Sequence, residues 1–471
     1  MAGENKDGKG MEVLFSLKKT FENRWARLFL RYITNKNRFK HALEVYCKLK
    51  PASSLGELIN AKILGFLLRR GAKIFDVKEN DIIETFKNPE YVRGLNLVMK
   101  SIATYGITKP QKLTAPFIVV WDYTSMCNLK CKHCYANAGK LAKDELSTEE
   151  RYKVIDKLDK AGVVLVAFSG GEPLMRKDFF EIAKYAREKG MFVSVASNGT
   201  LITRKVAERM KKIGVGYIEI SLDHIDPKIH DEFRGVKGAW KRAVEGIKNC
   251  IKVGISTGMA TTVTKYNYQS IPSMLEFAKK LGVDYFMAFN FVPTRRGKEI
   301  SDYDLTPEER ERLLELLYER LCEWEKPKIF STCPAYARIS LERVEKGKGK
   351  EVVLSHFGSA VLEGKTLAIA DFIGGCGAGR NYCSIEYNGD VQPCVFIPVK
   401  VGNVIKEDFE KIWMESEIFE KLRNRELLKG ACGECKYKYL CGGCRARAFA
   451  ITGDILDSDP GCIVVEEEVR R

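Results

Sequence analysis

The chain has 471 residues, of which 45% are hydrophobic and 30% charged, the balance of a globular protein with apolar material for a sizeable core. With 39 glycines, 14 prolines and no low-complexity tract, collagen-like and disordered classes are excluded, and the length predicts about three domains. Lys and Arg number 78 against 62 Asp and Glu, a net charge of +16, which favours an anionic partner: nucleic acid, an acidic membrane surface, or a phosphorylated or carboxylated substrate.

No apolar run of about 18 residues occurs, and the polar opening MAGENKDGKG is not followed by the apolar core of a signal peptide. The expected location is therefore cytoplasmic, where thiols stay reduced.

Residues 1–115 read as a helical domain. Leu14, Leu17, Phe21, Trp25, Leu28 and Tyr32 recur at helical spacing and predict one stripe on one helix. Residues 11–50 carry ten Lys/Arg against three Asp/Glu, so a basic face beside Trp25 and Phe29 suits either packing on the rest of the protein or an anionic interface. Ser54 and Glu57 form a Ser-x-x-Glu capping box. The helix it opens is apolar around a broad arc: Leu58, Ile59, Ile63, Leu64, Phe66 and Leu67.

Residues 116–300 alternate apolar strands (117–123, 163–168, 192–197, 217–222, 255–263 and 285–291) with helical stretches near 148–161, 177–189, 203–213, 239–252 and 270–281. The predicted fold class is α/β, a partial (β/α)6 barrel whose ligands gather at the carboxyl ends of the strands. Residues 301–370 read as a helix and an irregular connector, and residues 371–471 as a separate cysteine-rich domain.

Eleven of the 15 cysteines are clustered. Cys127, Cys131 and Cys134 form a Cys-x3-Cys-x2-Cys group just after the first strand, and Cys376, Cys383, Cys394, Cys432, Cys435, Cys441, Cys444 and Cys462 lie in the last fifth of the chain. Such spacing lets one loop wrap a metal centre, as zinc or as iron–sulfur. A zinc site would want four ligands, with His133 as the fourth, whereas a [4Fe–4S] cluster held by three cysteines leaves one iron open.

A Cys-x3-Cys-x2-Cys loop after the first strand of a βα barrel resembles the radical S-adenosylmethionine (SAM) superfamily. Gly170-Gly171-Glu172-Pro173 after the second strand matches that family's GGEP element. The resemblance implies that Cys127, Cys131 and Cys134 hold the catalytic cluster and that Gly170, Gly171 and Glu172 receive the SAM amino group. Ser197 and Asn198 after strand three, and Ser221 and Asp223 after strand four, would meet the ribose and methionine portion. Arg234 resembles a carboxylate-binding arginine, and Val263 the adenine-packing position. Cys333, Tyr285 and Asn290 could also touch substrate, beside a plain buried role.

The C-terminal cysteines resemble the SPASM domain, which adds two auxiliary [4Fe–4S] clusters. Carried over by position, Cys376, Cys383, Cys394 and Cys444 would hold the first, and Cys432, Cys435, Cys441 and Cys462 the second. The implied cofactors are three [4Fe–4S] clusters and SAM, with a reducing partner such as ferredoxin or flavodoxin and no nucleic acid. The implied chemistry is a 5′-deoxyadenosyl radical that takes hydrogen from an unactivated carbon.

For substrate, the basic, apolar front end and the overall architecture resemble radical SAM enzymes that bridge the hydrocarbon chains of archaeal tetraether lipids. The expectation is a membrane lipid, with peripheral contact to the inner membrane face. The alternative is a ribosomal peptide or a tetrapyrrole precursor. A nucleic-acid-binding protein with structural zinc ribbons is the reading from another class, disfavoured because acidic residues interleave the basic ones through the barrel.

Overall fold

The computed structural model describes residues 4–35, 37–354 and 361–465. Six helices come first: α1 (Glu4–Phe21), α2 (Arg24–Ile33), α3 (Arg38–Tyr46), α4 (Leu55–Ile74), α5 (Glu79–Thr85) and α6 (Pro89–Tyr105). The single stripe expected over residues 14–32 is broken, because the Asn23 side chain accepts from Ala26 N at 2.8 Å and starts a new helix. Phe21 turns into the core of this domain, while Trp25, Leu28 and Tyr32 face outward, Trp25 being 80% exposed. The Leu14 side chain lies outside the described residues.

Helix α4 begins where predicted. The Ser54 hydroxyl accepts from Glu57 N at 3.2 Å, but the Glu57 carboxylate turns to the Ser53 amide and hydroxyl, so only half of the capping box forms. Its inner side, Ala61, Leu64, Leu67 and Leu68, is buried, and its outer side, Leu55, Leu58, Ile59, Ile63 and Phe66, is open.

The barrel follows as β1 (Ile118–Thr124), α7 (Thr148–Ala161), β2 (Leu165–Gly170), α8 (Phe179–Glu188), β3 (Phe192–Ser197), α9 (Arg204–Lys212), β4 (Tyr217–Ser221), α10 (Pro227–Arg234), α11 (Ala239–Lys252), β5 (Ser256–Val263), α12 (Ile271–Leu281) and β6 (Tyr285–Asn290). Then come α13 (Pro307–Glu323), β7 (Lys328–Ser331), α14 (Ala335–Glu345) and a small hairpin, β8 (Val352–Val353) with β9 (Val361–Leu362). The C-terminal region adds β10 (Tyr382–Ile385), β11 (Asp390–Gln392) and β12 (Gly402–Asn403).

Strands β1 to β7 are parallel in sequence order, and β10 extends the sheet beyond β1, also in parallel, with Cys383 opposite Val119. The barrel therefore has a seventh strand and a covered first edge. The connector within residues 301–370, expected to be irregular, contains β7 and α14. A four-residue strand directly after Pro327 is too short to show a period, which is why the sequence pattern missed it. The α10 helix was missed for the same reason of length.

Strand alternation fixes what points where. On β1, Val119, Trp121 and Tyr123 pack under the helices against Phe168 and Phe179, Trp121 lying 5.7 Å and Tyr123 5.3 Å from the Phe168 ring. Ile118, Val120 and Asp122 face the other way, into the lumen. The N-terminal helices sit at the opposite end from the predicted site. Arg93 on α6 reaches Val163 O, Lys189 O and Asp159, in the turns that lead into β2 and β3. Those are the amino ends of the strands. No helix among the described residues is long and apolar enough to cross a membrane.

Candidate active site

The Cys127 loop leaves the carboxyl end of β1 and is closed at its base by Cys127 N to Gly139 O (2.9 Å) and Gly139 N to Ser125 O (2.8 Å). Below it, Gly171 N donates to Thr124 O at 2.8 Å and Glu172 N to Met126 O at 2.7 Å. A Cβ on Gly171 would lie 1.9 Å from Met126 O, and one on Gly170, at φ +100°, 2.8 Å from Asp122 Cα. The two glycines thus let the cysteine loop lie directly on β2. From the other side, Lys130 N and Lys132 N donate to Arg234 O and Phe233 O, both at 3.0 Å, so the end of α10 clamps the loop.

The Glu172 side chain is fully buried. It accepts from Ser197 Oγ (2.9 and 3.0 Å), Asn198 N (2.8 Å) and Leu174 N (3.3 Å), while burial pushes its carboxyl up to about 7. A buried carboxylate with hydrogen bonds but no cation is a site for an ammonium group. Asn198 bonds Asn128 at 2.8 Å and points its amide at Cys127 Sγ, 3.9 Å away, tying the end of β3 to the loop.

Asp223 and Arg234 form a buried ion pair at 2.5 Å, and the Arg234 guanidinium also reaches Cys131 Sγ at 3.7 Å. Arg234 is therefore neither a surface residue nor free to serve a ligand with its whole fork: Nε is committed to Asp223. Ser221 ends β4 opposite Ala260, and Val263 is buried at the end of β5 opposite Asn290.

His133 stacks on Phe233 at 4.5 Å, and burial drops its pKa to about 3, so it stays neutral. Its Nδ1 is buried with no hydrogen-bond partner. Tyr285 begins β6 at the amino end against Tyr217 (5.6 Å), away from the mouth. Cys333 is buried in the main core, and Asn290 Oδ1 accepts from Arg310 (2.8 Å) and Arg447 (3.0 Å).

Sequence reasoning missed two lumenal carboxylates. Asp122 accepts from Tyr135 OH at 3.2 Å; burial, then the charge of Glu386, pushes its carboxyl up to about 7. Tyr135, next to Cys134, also meets the Ser169 hydroxyl (2.7 Å) and the Phe396 ring (5.2 Å). Phe396 N in turn points at Cys394 Sγ (3.5 Å), so a continuous packed path joins the two cysteine regions. Glu219 faces the lumen from β4 beside Tyr217, and burial pushes it up to about 7. The signal was present in each case: a single acid inside an otherwise apolar strand.

Cys376, Cys394 and Cys444 share one apolar cluster with Tyr382, and Cys432, Cys435, Cys441 and Cys462 line a common cavity with Gly442 and Gly443. The structure does not bring Cys383 to the first group, where its position in the sequence had placed it. Alternation on β10 turns Tyr382 toward Cys394, while Cys383, 0% exposed, enters the main core on the side of Arg423.

The donor set fits iron–sulfur clusters. Backbone N–H groups point at the sulfurs of Cys127, Cys134, Cys432, Cys435 and Cys441, each at 3.4 Å, which favours thiolate charge. Burial pushes the Cys127, Cys394 and Cys462 thiols up to about 12, so these need a metal to deprotonate them. Arg380, Arg425 and Arg445 are buried beside these cysteines, and none makes an ion pair among the described residues. Arg425 donates to Cys376 O at 2.8 Å and Arg445 reaches Cys432 Sγ at 3.6 Å. Buried cations without carboxylates need another anion, and a thiolate-bound cubane is one.

The arrangement defines a radical SAM barrel joined to an auxiliary iron–sulfur domain. Residues 121–278 match the radical SAM superfamily and residues 376–444 an iron–sulfur cluster-binding (SPASM) domain. The chain is 39% identical over 351 residues to the AdoMet-dependent heme synthase of Methanosarcina barkeri, covering 74% of this chain and 97% of that one. It is 34% identical over 371 residues to the Fe-coproporphyrin III synthase of the same organism, covering 75% and 89%. The SuiB structure from Streptococcus suis bound to S-adenosylmethionine shares the fold at a TM-score of 0.62 and 18% identity, over 86% of this chain and 89% of that one. The chain belongs to the radical SAM enzymes with a SPASM domain, whose cofactors are SAM and [4Fe–4S] clusters. These relatives are not lipid synthases, and they leave the specific resemblance to lipid-bridging enzymes without support.

Proposed function

We propose that the enzyme oxidises a carboxylate-bearing side chain of a tetrapyrrole. The observation that carries this is the 39% identity extending over 97% of a heme synthase, with Fe-coproporphyrin III synthase next to it. When bound, SAM and its cluster supply a 5′-deoxyadenosyl radical. In the reading proposed here, one hydrogen atom leaves a side-chain carbon as part of 5′-deoxyadenosine. Loss of the carboxylate on the next carbon as CO2, with one electron passing to an auxiliary cluster that the C-terminal cysteines would hold, would leave a carbon–carbon double bond. Glu172, Asn198 and the Asp223–Arg234 pair hold the SAM side of the site. The lumenal wall of Asp122 and Tyr135 borders the substrate, and the buried arginines favour electron uptake in the C-terminal domain.

A second reading, hydrogen abstraction from an isoprenoid lipid, has one observation in its favour: the outward apolar faces of α2 and α4. Against it, these helices stand at the amino ends of the strands, a strand's length from the mouth. The test offers iron coproporphyrin III, with SAM and dithionite under anaerobic conditions, and follows product by mass spectrometry. The proposal expects loss of CO2 in step with 5′-deoxyadenosine. Unchanged porphyrin, alongside a bridged product from an archaeal tetraether lipid, would move the assignment to the second reading.

A further inference from the structure

Helices α1, α4, α5 and α6 do not close over one another. Between them and the segment Ile369–Ile373 of the catalytic body lies a cavity of about 360 Å3, lined among others by Phe21, Leu68, Phe75, Phe86, Met99 and Phe372. Among the described residues Gln111 is the one polar residue in the lining, and its amide is spent on Gly106 O (3.1 Å) and Lys112 O (3.0 Å). At the ~30 Å3 a water takes in the liquid, the volume holds roughly a dozen groups of that size. An apolar space of this kind suits an aliphatic chain and offers little to a polar ligand.

Its surroundings choose the rest of the ligand. Residues 1–115 carry 22 Lys/Arg against 11 Asp/Glu, a net +11 of the protein's +16. Lys62, Arg70 and Lys73 on α4 have no carboxylate partner among the described residues. Arg70 and Lys73 flank Gly71 and Ala72, which line the cavity, and Arg70 lies 5.6 Å over the exposed Phe66 ring. The rim reaches solvent at Val77, which is 43% exposed. The neighbouring outer faces, with Leu55 at 73% and Trp25 at 80% exposure, are apolar with basic margins, as in helices that lie in a lipid headgroup layer.

We propose that the N-terminal domain is a membrane-lipid site: the cavity takes a hydrocarbon chain of an anionic membrane lipid, and Arg70 and Lys73, which flank the lining residues Gly71 and Ala72, meet its headgroup. The site lies at the amino ends of the strands, and β1 has seven residues, so it is about 20 Å from the SAM end. The bound lipid anchors the enzyme and is not its substrate. This goes beyond the tetrapyrrole reading and stands or falls apart from it.

Gly71→Met separates the cavity from the surface. Its Cβ would meet Phe21 at an ordinary 3.6 Å, so the side chain fills the space, and replacing a helical glycine does not weaken the helix. Dodecyl phosphate binding to the holoenzyme is measured by calorimetry, with inorganic phosphate as control. Sedimentation is measured with phosphatidylcholine vesicles with and without phosphatidylglycerol. The wild type should bind dodecyl phosphate and not inorganic phosphate, and Gly71→Met should lose at least about tenfold. Neutralising Arg70 or Lys73 to Gln should weaken binding to the phosphatidylglycerol vesicles by about fivefold. Deoxyadenosine formation should be unchanged in all of them. Equal dodecyl phosphate binding by Gly71→Met, or vesicle binding indifferent to phosphatidylglycerol, would overturn the proposal. So would a cavity closed by this chain's own residues in a crystal structure.

Discussion

Replacing Arg425 by Met tests the claim that buried arginines balance the charge of the auxiliary clusters. Arg425 is fully enclosed between Gly375, Cys376 and Gly442, and burial lowers its pKa while the nearby cysteines oppose that. Its guanidinium donates to Cys376 O at 2.8 Å, and a cluster held by Cys376 would have its centre on the order of 7 Å from that charge. At an effective dielectric constant of about 20, one unit charge at that distance is worth about 2.4 kcal/mol. For a one-electron couple, where about 1.4 kcal/mol corresponds to 59 mV, this is about 100 mV. Reduction adds negative charge, so losing the cation should make the auxiliary potentials more negative by about that amount. The assay is a redox titration followed by electron paramagnetic resonance on the reconstituted enzyme. The SAM-binding cluster serves as an internal reference and should shift much less, and Arg425→Lys should recover most of the difference. An Arg425→Met enzyme that keeps its iron and shows auxiliary potentials within about 20 mV of the wild type would refute the charge-balance argument.

Cys383→Ala should keep the iron content and cluster spectra of the wild type, because its sulfur faces the core beside Arg423. Loss of iron equal to that in Cys394→Ala would show that it is a ligand. Gly171→Ala should destabilise the cysteine loop by several kcal/mol, since its Cβ would meet Met126 O at 1.9 Å; weakened cluster retention and a lowered melting temperature are the readouts. Glu219 has a folded pKa of about 7 against the ordinary 4.5, so its ionised form is disfavoured by folding. Stability should therefore be intact below about pH 4.5 and decline as pH rises toward 7, by up to about 3 kcal/mol. Glu219→Gln should remove its own share of that decline and leave those of Asp122 and Glu172, and a melting temperature with the same pH profile in wild type and variant would contradict it.

The barrel was legible because its strands are unbroken apolar runs and its helices carry period and caps; the predicted strand at 192–197 and helices at 148–161 and 239–252 are those observed. The cysteine loop and the glycines beside it were legible because close backbone approach and metal ligation allow few residue types. What the sequence hid depends on which face a residue takes. Cys383 and Tyr382 are neighbours, and only pairing with β1 decides which one enters the cysteine cluster. The arginines read as ordinary basic residues, and only burial without carboxylates gives them meaning. The break at Asn23 overrode a helical stripe because one side-chain cap outweighs a spacing pattern.

The account rests on an iron–sulfur site at Cys127, Cys131 and Cys134 that receives SAM. The direct measurement is electron paramagnetic resonance of the anaerobically reconstituted, reduced enzyme before and after SAM is added, beside the Cys127→Ala/Cys131→Ala/Cys134→Ala variant. The wild type should show a [4Fe–4S] signal that changes on SAM addition and should release 5′-deoxyadenosine; the variant should keep only the SAM-insensitive signals of the C-terminal domain and release none. A wild-type spectrum indifferent to SAM, or deoxyadenosine formed at full rate by the triple variant, would contradict it.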